Sequence, residues 1–466
     1  MDPAAPAFPP LHPTTPPPPE TTPEPESPPP KPAAISGLTA VVLMFSLGFF
    51  GSITASRFLV PPPSPPAPTG QLLGAVAPTA VPTPIPTPDP NLYPETLDQP
   101  FSGTLAYLLN GQIYTIKADR TNPLQISQDG LYKSHLVASP DQITLAYTYQ
   151  DTETSDTPRQ GISLVNRQTK AVTELVKPQS ATYAYLAFSG SGRYLSAWNT
   201  NGQEAIVIDT LTAQTAASFG TESQGGISPM VWLPGSETVS FILDNELFTR
   251  DLADEDLFSL ASNVVAIKST ADDQDIPLPP VWSADGTYVA YVKPNGLYLF
   301  HLPTAKEIAV LTSDQDFELD TLPYRALAFN QPLTHLLYES PANAENQTLY
   351  AYSVAEIKSV PIGVSSPSTL MDTATNQVLN LINTSGGSQL TKYSLTSWSE
   401  ATCTDQLLSY PLPPSTSLLN PLDQALVSLT HQGDLYTLKL VETESCQAYD
   451  LVKSLSPLAN PIWLTN

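Results

Sequence analysis

One slot recurs eight times along this chain, and its spacing restricts the folds available to it. The slot is an apolar pair followed by a small or turn-forming residue. Its copies are Val137-Ala138-Ser139, Ala187-Phe188-Ser189, Val231-Trp232-Leu233, Val281-Trp282-Ser283, Ala328-Phe329-Asn330, Leu370-Met371-Asp372, Leu418-Leu419-Asn420 and Ile462-Trp463-Leu464. Successive second members lie 50, 44, 50, 47, 42, 48 and 44 residues apart. That period suits a four-stranded propeller blade and is too long for tetratricopeptide or ankyrin units.

The residues after each slot read as strands separated by tight turns. In the copy at Pro280, Val281-Trp282 is a short inner strand and Ala284-Asp285-Gly286 a turn. Tyr288 to Val292 is the second strand, Leu297 to Leu302 the third and Ile308 to Leu311 the fourth. Asp-Gly and Asn-Gly supply the positive φ that such hairpins need, and aromatic and β-branched residues fill the strands. Two fragments complete each other. Thr104 to Leu109, Gln112 to Lys117 and Leu124 to Ser127 form a blade lacking its inner strand. Pro461 to Leu464 is an inner strand with no blade after it. Pairing the two closes a ring and removes both exposed edges. The expectation is an all-β closed propeller of eight blades, or seven if the copy from Leu370 to Leu408 is absorbed as an insertion.

The turns Ser139-Pro140-Asp141, Ser189-Gly190-Ser191-Gly192 and Ser283-Ala284-Asp285-Gly286, each before an apolar strand, resemble the TolB-type, WD40-like propeller repeat. The resemblance covers roughly residues 101–464 and implies a propeller. Leu233-Pro234-Gly235-Ser236 and Asn330-Gln331-Pro332 depart from its turn pattern.

Composition divides the rest. Residues 1–34 hold 15 of the 51 prolines and residues 61–97 another 13, so neither stretch builds a ladder or a core. Between them, Ile35 to Ser56 carries no charge over 22 residues, enough to cross a ~30 Å hydrocarbon layer as a helix. A long, acidic, proline-rich leader argues against a cleaved signal peptide. The organisation expected is a cytoplasmic disordered tail (1–34), a transmembrane helix (35–58), an extended Pro/Thr-rich linker (59–97) and the propeller (98–466). The propeller is placed on the extracytoplasmic side of a bacterial-type envelope, although Lys31 and Arg57 give the positive-inside rule little to weigh.

The net charge is −25. From Asp98 onward 38 acids face 17 bases, which argues against nucleic acid as a partner. The chain has no Gly-x-Ser-x-Gly elbow, Walker loop or dinucleotide fingerprint, and His135, His301, His335 and His431 share no metal-ligand spacing. No catalytic residue and no cofactor is predicted. Asp272, Asp273, Asp275, Asp314, Asp316 and Asp320 fall in loops after fourth strands. They are weak candidates for Ca²⁺, since the turn glycine of a calcium loop is missing and solvated loops explain them as well. Cys403 and Cys446 lie 43 residues apart, at fourth strands of successive blades, where a disulfide and two unpaired thiols are both open. Trp232, Trp282 and Trp463 share the slot of Phe188 and Phe329, which reads as core rather than as a sugar platform. The expected role is an anchored module that binds or scaffolds a protein or cell-envelope ligand without catalysis. The alternative is a hydrolase or lyase with a site in the central channel.

Overall fold

A computed structural model describes residues 101–464, apart from 152–158, 201–203, 221–225, 255, 269–275, 314–323, 331–334, 344–345, 365–367, 373–375, 385–386, 409–418, 421–424 and 433. The predicted tail, anchor and linker therefore lie outside the described residues. Among the described residues no helix is long and apolar enough to cross a membrane.

Eight antiparallel four-stranded sheets form the ring. Blade 1 joins Thr104–Leu109, Gln112–Lys117 and Leu124–Gln125 to the last strand of the chain, Leu458–Leu464. Blade 2 is Tyr132–Ala138, Thr144–Asp151, Arg159–Asn166 and Val172–Gln179, and blade 3 is Tyr183–Phe188, Tyr194–Asn199, Glu204–Asp209 and Gln214–Phe219. Blade 4 runs Val231–Trp232, Thr238–Leu243, Glu246–Asp251 and Leu257–Ser262. A two-stranded ribbon, Ile267–Lys268 with Ile276–Pro277, precedes blade 5. Blade 5 is Val281–Trp282, Tyr288–Lys293, Gly296–His301 and Lys306–Thr312, and blade 6 is Arg325–Phe329, His335–Asn343, Asn346–Ser353 and Lys358–Val364. Blade 7 is Ser368–Asp372, Gln377–Thr384, Gly387–Ser394 and Ser399–Leu408. Blade 8 is Leu419–Asn420, Ala425–Gln432, Leu435–Glu442 and Ala448–Ser454. The copy from Leu370 to Leu408 is thus a full blade, and the count is eight.

Closure takes the expected form. Thr104 pairs with Leu464, Leu105 with Trp463 and Ala106 with Ile462. Gly103, at φ +98°, lies beneath the Trp463 ring: a Cβ there would sit 3.5 Å from it. The core is a succession of sandwiches between neighbouring blades rather than one central mass. Trp198 and Val207 of blade 3 pack on Trp232 and Phe241 of blade 4. Trp282 and Tyr291 of blade 5 meet Ile242 and Leu247 of blade 4. Leu105 and Tyr107 share a cluster with Trp463 and with Leu426 and Leu440 of blade 8. A blade is buried on both faces, which is why a middle strand such as Thr104–Leu109 reads as a near-continuous apolar run, its alternate residues packing to either side.

The slot residues organise the joints. The amide of Ser139 donates to Thr144 O, that of Ser189 to Tyr194 O, that of Ser283 to Tyr288 O (all 2.9 Å), and that of Asn330 to His335 O at 3.1 Å. Serine reinforces the turn through its side chain: Ser283 Oγ accepts from the Tyr288 amide and donates to Asp285 Oδ1 at 2.6 Å. The two turns that depart from the pattern keep the same backbone bonds. Asn330 Oδ1 accepts the His335 amide at 2.7 Å in place of serine, and Ser236 Oγ accepts the Thr238 amide after Leu233.

One placement differs from expectation. Cys446 is not in a fourth strand; it sits in the turn before one, between Leu435–Glu442 and Ala448–Ser454. Its amide donates to Glu442 O at 2.9 Å, closing that turn. The 43 residues between the cysteines are close to the average period but shorter than the 48 between the slots of blades 7 and 8, so Cys446 falls short of the strand position that Cys403 holds.

Candidate turn-face binding site

Alternating strand direction places two sets of turns on one face of the ring: those joining first to second strands and those joining third to fourth. The third-to-fourth turns repeat a backbone device. Lys170, Ala213, Ala305, Ile357, Trp398 and Cys446 occupy corresponding positions, all left-handed, with φ between +49° and +64°. Glycine is the residue that adopts this conformation without steric cost, and none of the six is glycine. For the β-branched Ile357, at φ +52°, the conformation is a genuine outlier.

These turns also carry exposed apolar side chains. Leu211 of blade 3 is 82 % exposed and Ile357 of blade 6 72 %. Leu124, Val172, Leu257, Leu302 and Trp398, in or directly after the same turns of blades 1, 2, 4, 5 and 7, are also exposed. Single exposed leucines are ordinary, but recurrence at one place in seven blades marks a face. Trp398 is braced by the ring of His335, edge to face at 5.4 Å between centroids. Burial pushes the His335 imidazole below its ordinary pKa, against the opposing pull of Glu356.

Two clefts open on the same face. One, of about 470 Å³, lies between blades 1 and 2 and is bordered by Lys117, Pro123, Leu124 and Arg167. The other, of about 460 Å³, spans blades 2 to 4 and includes Asp141, Arg193 and Glu237. There Arg193 is committed to Asp209 at 3.2 Å and lies over the Tyr194 ring. Burial raises the Asp209 carboxyl, but the Thr212 and Leu211 amides and Arg193 outweigh it and hold it below the usual carboxylate range.

The channel shows a second pattern. First strands of neighbouring blades touch one another around the axis. In blades 1, 2 and 3 each bulges three residues before the second slot member, at Asn460 (φ +45°), His135 (φ +50°) and Tyr185 (φ +51°). A bulge re-aims a side chain, and His135 and Tyr185 are left exposed. Partial desolvation within the ring raises the pKa of the Tyr185 hydroxyl and outweighs the charge of Arg325, from blade 6, which lowers it. Desolvation lowers the His135 imidazole. Lys133, fully buried on the same strand as His135, is bonded to Asp129 and to Leu131 O and lies 5.6 Å over the Tyr147 ring, a structural use of its charge.

Asp272, Asp273, Asp275, Asp314, Asp316 and Asp320 lie outside the described residues. Among the described residues no group of three His, Cys, Asp or Glu is placed to hold a metal ion. The slot tryptophans are core: Trp232, Trp282 and Trp463 are each less than a tenth exposed. Trp232 Nε1 donates to Ala187 O and Ser196 Oγ of blade 3, and Trp282 Nε1 to Ser240 Oγ of blade 4 at 2.6 Å. Cys446 is disulfide-bonded. Ile357 and Trp398 carry no motif that the sequence singles out, unlike the acidic loops. The available signal was the absence of glycine where the third-to-fourth turn requires a left-handed residue.

No protein-family model matches the sequence, and no curated protein matches it. Solved structures share the fold. The dihydro-heme d1 dehydrogenase NirN superposes with a TM-score of 0.53 at 12 % identity, over 79 % of this chain and 77 % of that one. TolB from Acinetobacter baumannii covers 69 % of this chain and 83 % of its own at 13 % identity and a TM-score of 0.34. The oligogalacturonate lyase from Vibrio parahaemolyticus covers 74 % and 99 % at 10 % identity, with a TM-score of 0.46. At these identities the shared property is the propeller itself. Proteins of that shape both bind and catalyse, so fold does not decide function.

Proposed function

We propose that this chain is a membrane-anchored propeller that binds a protein or cell-envelope ligand through its turn face and catalyses no reaction. Residues 35–58 would hold it in the membrane, and residues 59–97 would space it from the surface. Cys403 is the only other cysteine, so we assign it as the partner of Cys446, a bridge suited to an oxidising compartment. The observation that carries the reading is that Ile357 and Trp398, both exposed and left-handed, occupy corresponding turns of successive blades. Backbone strain kept at an exposed apolar residue contributes nothing to folding, and such outliers collect where a surface is used. The channel reading, a hydrolase or lyase, draws its support from the bulged His135 and Tyr185.

The test is a photo-crosslinking amino acid placed at Ile357 in the native host. Leu455, equally exposed at 72 % but in the opposite loop set, serves as the control. Discrete adducts from position 357 and none from 455 are expected. Equal labelling at both positions, or none at 357, would remove the turn face as the binding surface.

A further inference from the structure

The cleft between blades 1 and 2 inverts the charge of its surroundings. The domain carries more than twice as many acids as bases, yet two cations and no acid border this cleft. Lys117 is exposed and forms no ion pair among the described residues. Arg167 enters from the third-to-fourth turn of blade 2, and its Nε is shielded from solvent without a hydrogen-bond partner. A shielded guanidinium N–H left unbonded is costly, and a carboxylate that draws the Arg167 side chain further into the cleft would relieve it.

The two acids that feel these cations are held in their own turns and form no ion pair with them. Asp119, which feels the Lys117 charge, accepts from the Thr121 hydroxyl and amide. Asp141, which feels Arg167, accepts from Ser139 and from the Ile143 amide. The cleft's other wall is apolar, with Pro123, exposed Leu124 and buried Ile126. A planar carboxylate matches the guanidinium fork, and an alkyl or ring skeleton matches the apolar wall.

We propose that this cleft binds a small organic carboxylate, its head between Lys117 and Arg167 and its carbon skeleton over Pro123 and Leu124. The site is independent of the macromolecular docking proposed above and stands or falls without it. Calorimetric titration of the purified full chain with hexanoate, acetate and inorganic phosphate tests it. Saturable hexanoate binding is expected, tighter than that of acetate. Arg167→Gln and Lys117→Gln should each weaken it about tenfold or more, the factor one charge-assisted hydrogen bond supplies. Lys439→Gln, in blade 8 and outside the cleft, should leave it unchanged. Near-ultraviolet circular dichroism of each variant verifies the fold. No saturation below about 20 mM hexanoate overturns the site. Full binding by Arg167→Gln overturns the assigned head-group contacts, and phosphate binding as tightly as hexanoate overturns the ligand class.

Discussion

Each interior tryptophan of the slot in blades 4 and 5 is matched by a serine one blade upstream. Ser196 receives Trp232 and Ser240 receives Trp282. The corresponding residues facing Phe188 and Phe329 are Ala146 and Ala290, which have nothing to accept with and nothing to accept. Trp463 breaks the pattern, its upstream counterpart being Val427. Removing Ser240 Oγ strands a buried indole N–H, so Ser240→Ala should cost about 1–3 kcal/mol in urea unfolding. Adding Trp282→Phe recreates the Ala290–Phe329 pair, and the double variant should lose less than the two single losses combined. Additive losses would show that the indole bond contributes little. Ile357 has the opposite character: strained, exposed and unsupported by packing. Ile357→Gly should raise stability by about 0.5–1 kcal/mol, the left-handed penalty less the entropy glycine adds to the unfolded chain. A melting temperature that falls instead would mean the Ile357 side chain has a packing role.

At the scale of the turn, the Ser-x-Asp device has a pH signature. Burial raises the Asp285 carboxyl, but the Ser283 hydroxyl and the Thr287 amide and hydroxyl outweigh it and leave it below the usual range. Asp141 behaves alike, with burial opposed by Ser139, Ile143 and Thr144. A carboxylate depressed in the folded state adds stability above its unfolded pKa and loses it as pH falls through the folded value. Thermal melts should therefore decline from about pH 4 downward, and Asp285→Asn should flatten that decline. Parallel curves for the two proteins would rule out the turn as its source. The turn was legible because serine, aspartate and glycine each perform one local task there. Asn330 and Ser236 were less so, since a different side chain reaches the same amide from a different position. The third-to-fourth turns hid their meaning, because a left-handed alanine, isoleucine or tryptophan looks like any other residue in a sequence. Cys446 was misplaced because its 43-residue distance from Cys403 is near the average period yet five short of the 48 residues that separate the slots of those two blades.

For the whole molecule, the way the ring closes was readable from the repeat and the two incomplete ends, and the number of blades to within one, the copy from Leu370 to Leu408 being left for the structure to decide. Inner strands are short, paired and apolar, so each repeat announces itself. What lies on the two faces was far less readable. Turn residues answer to local backbone geometry and to partners outside the chain, and neither leaves a period. The architecture depends on the last strand completing the first blade, where Ile462, Trp463 and Leu464 are all buried. Fully burying three such side chains is worth about 5–8 kcal/mol, comparable to the net stability of a domain. The most direct test replaces the opposed residues Thr104 and Leu464 by cysteine and maps disulfides by peptide mass spectrometry under oxidising conditions. A closed ring predicts an intramolecular 104–464 bridge in the folded monomer, distinct from any bridge of the native cysteines. Finding both new thiols free, or joined only between molecules, would contradict it.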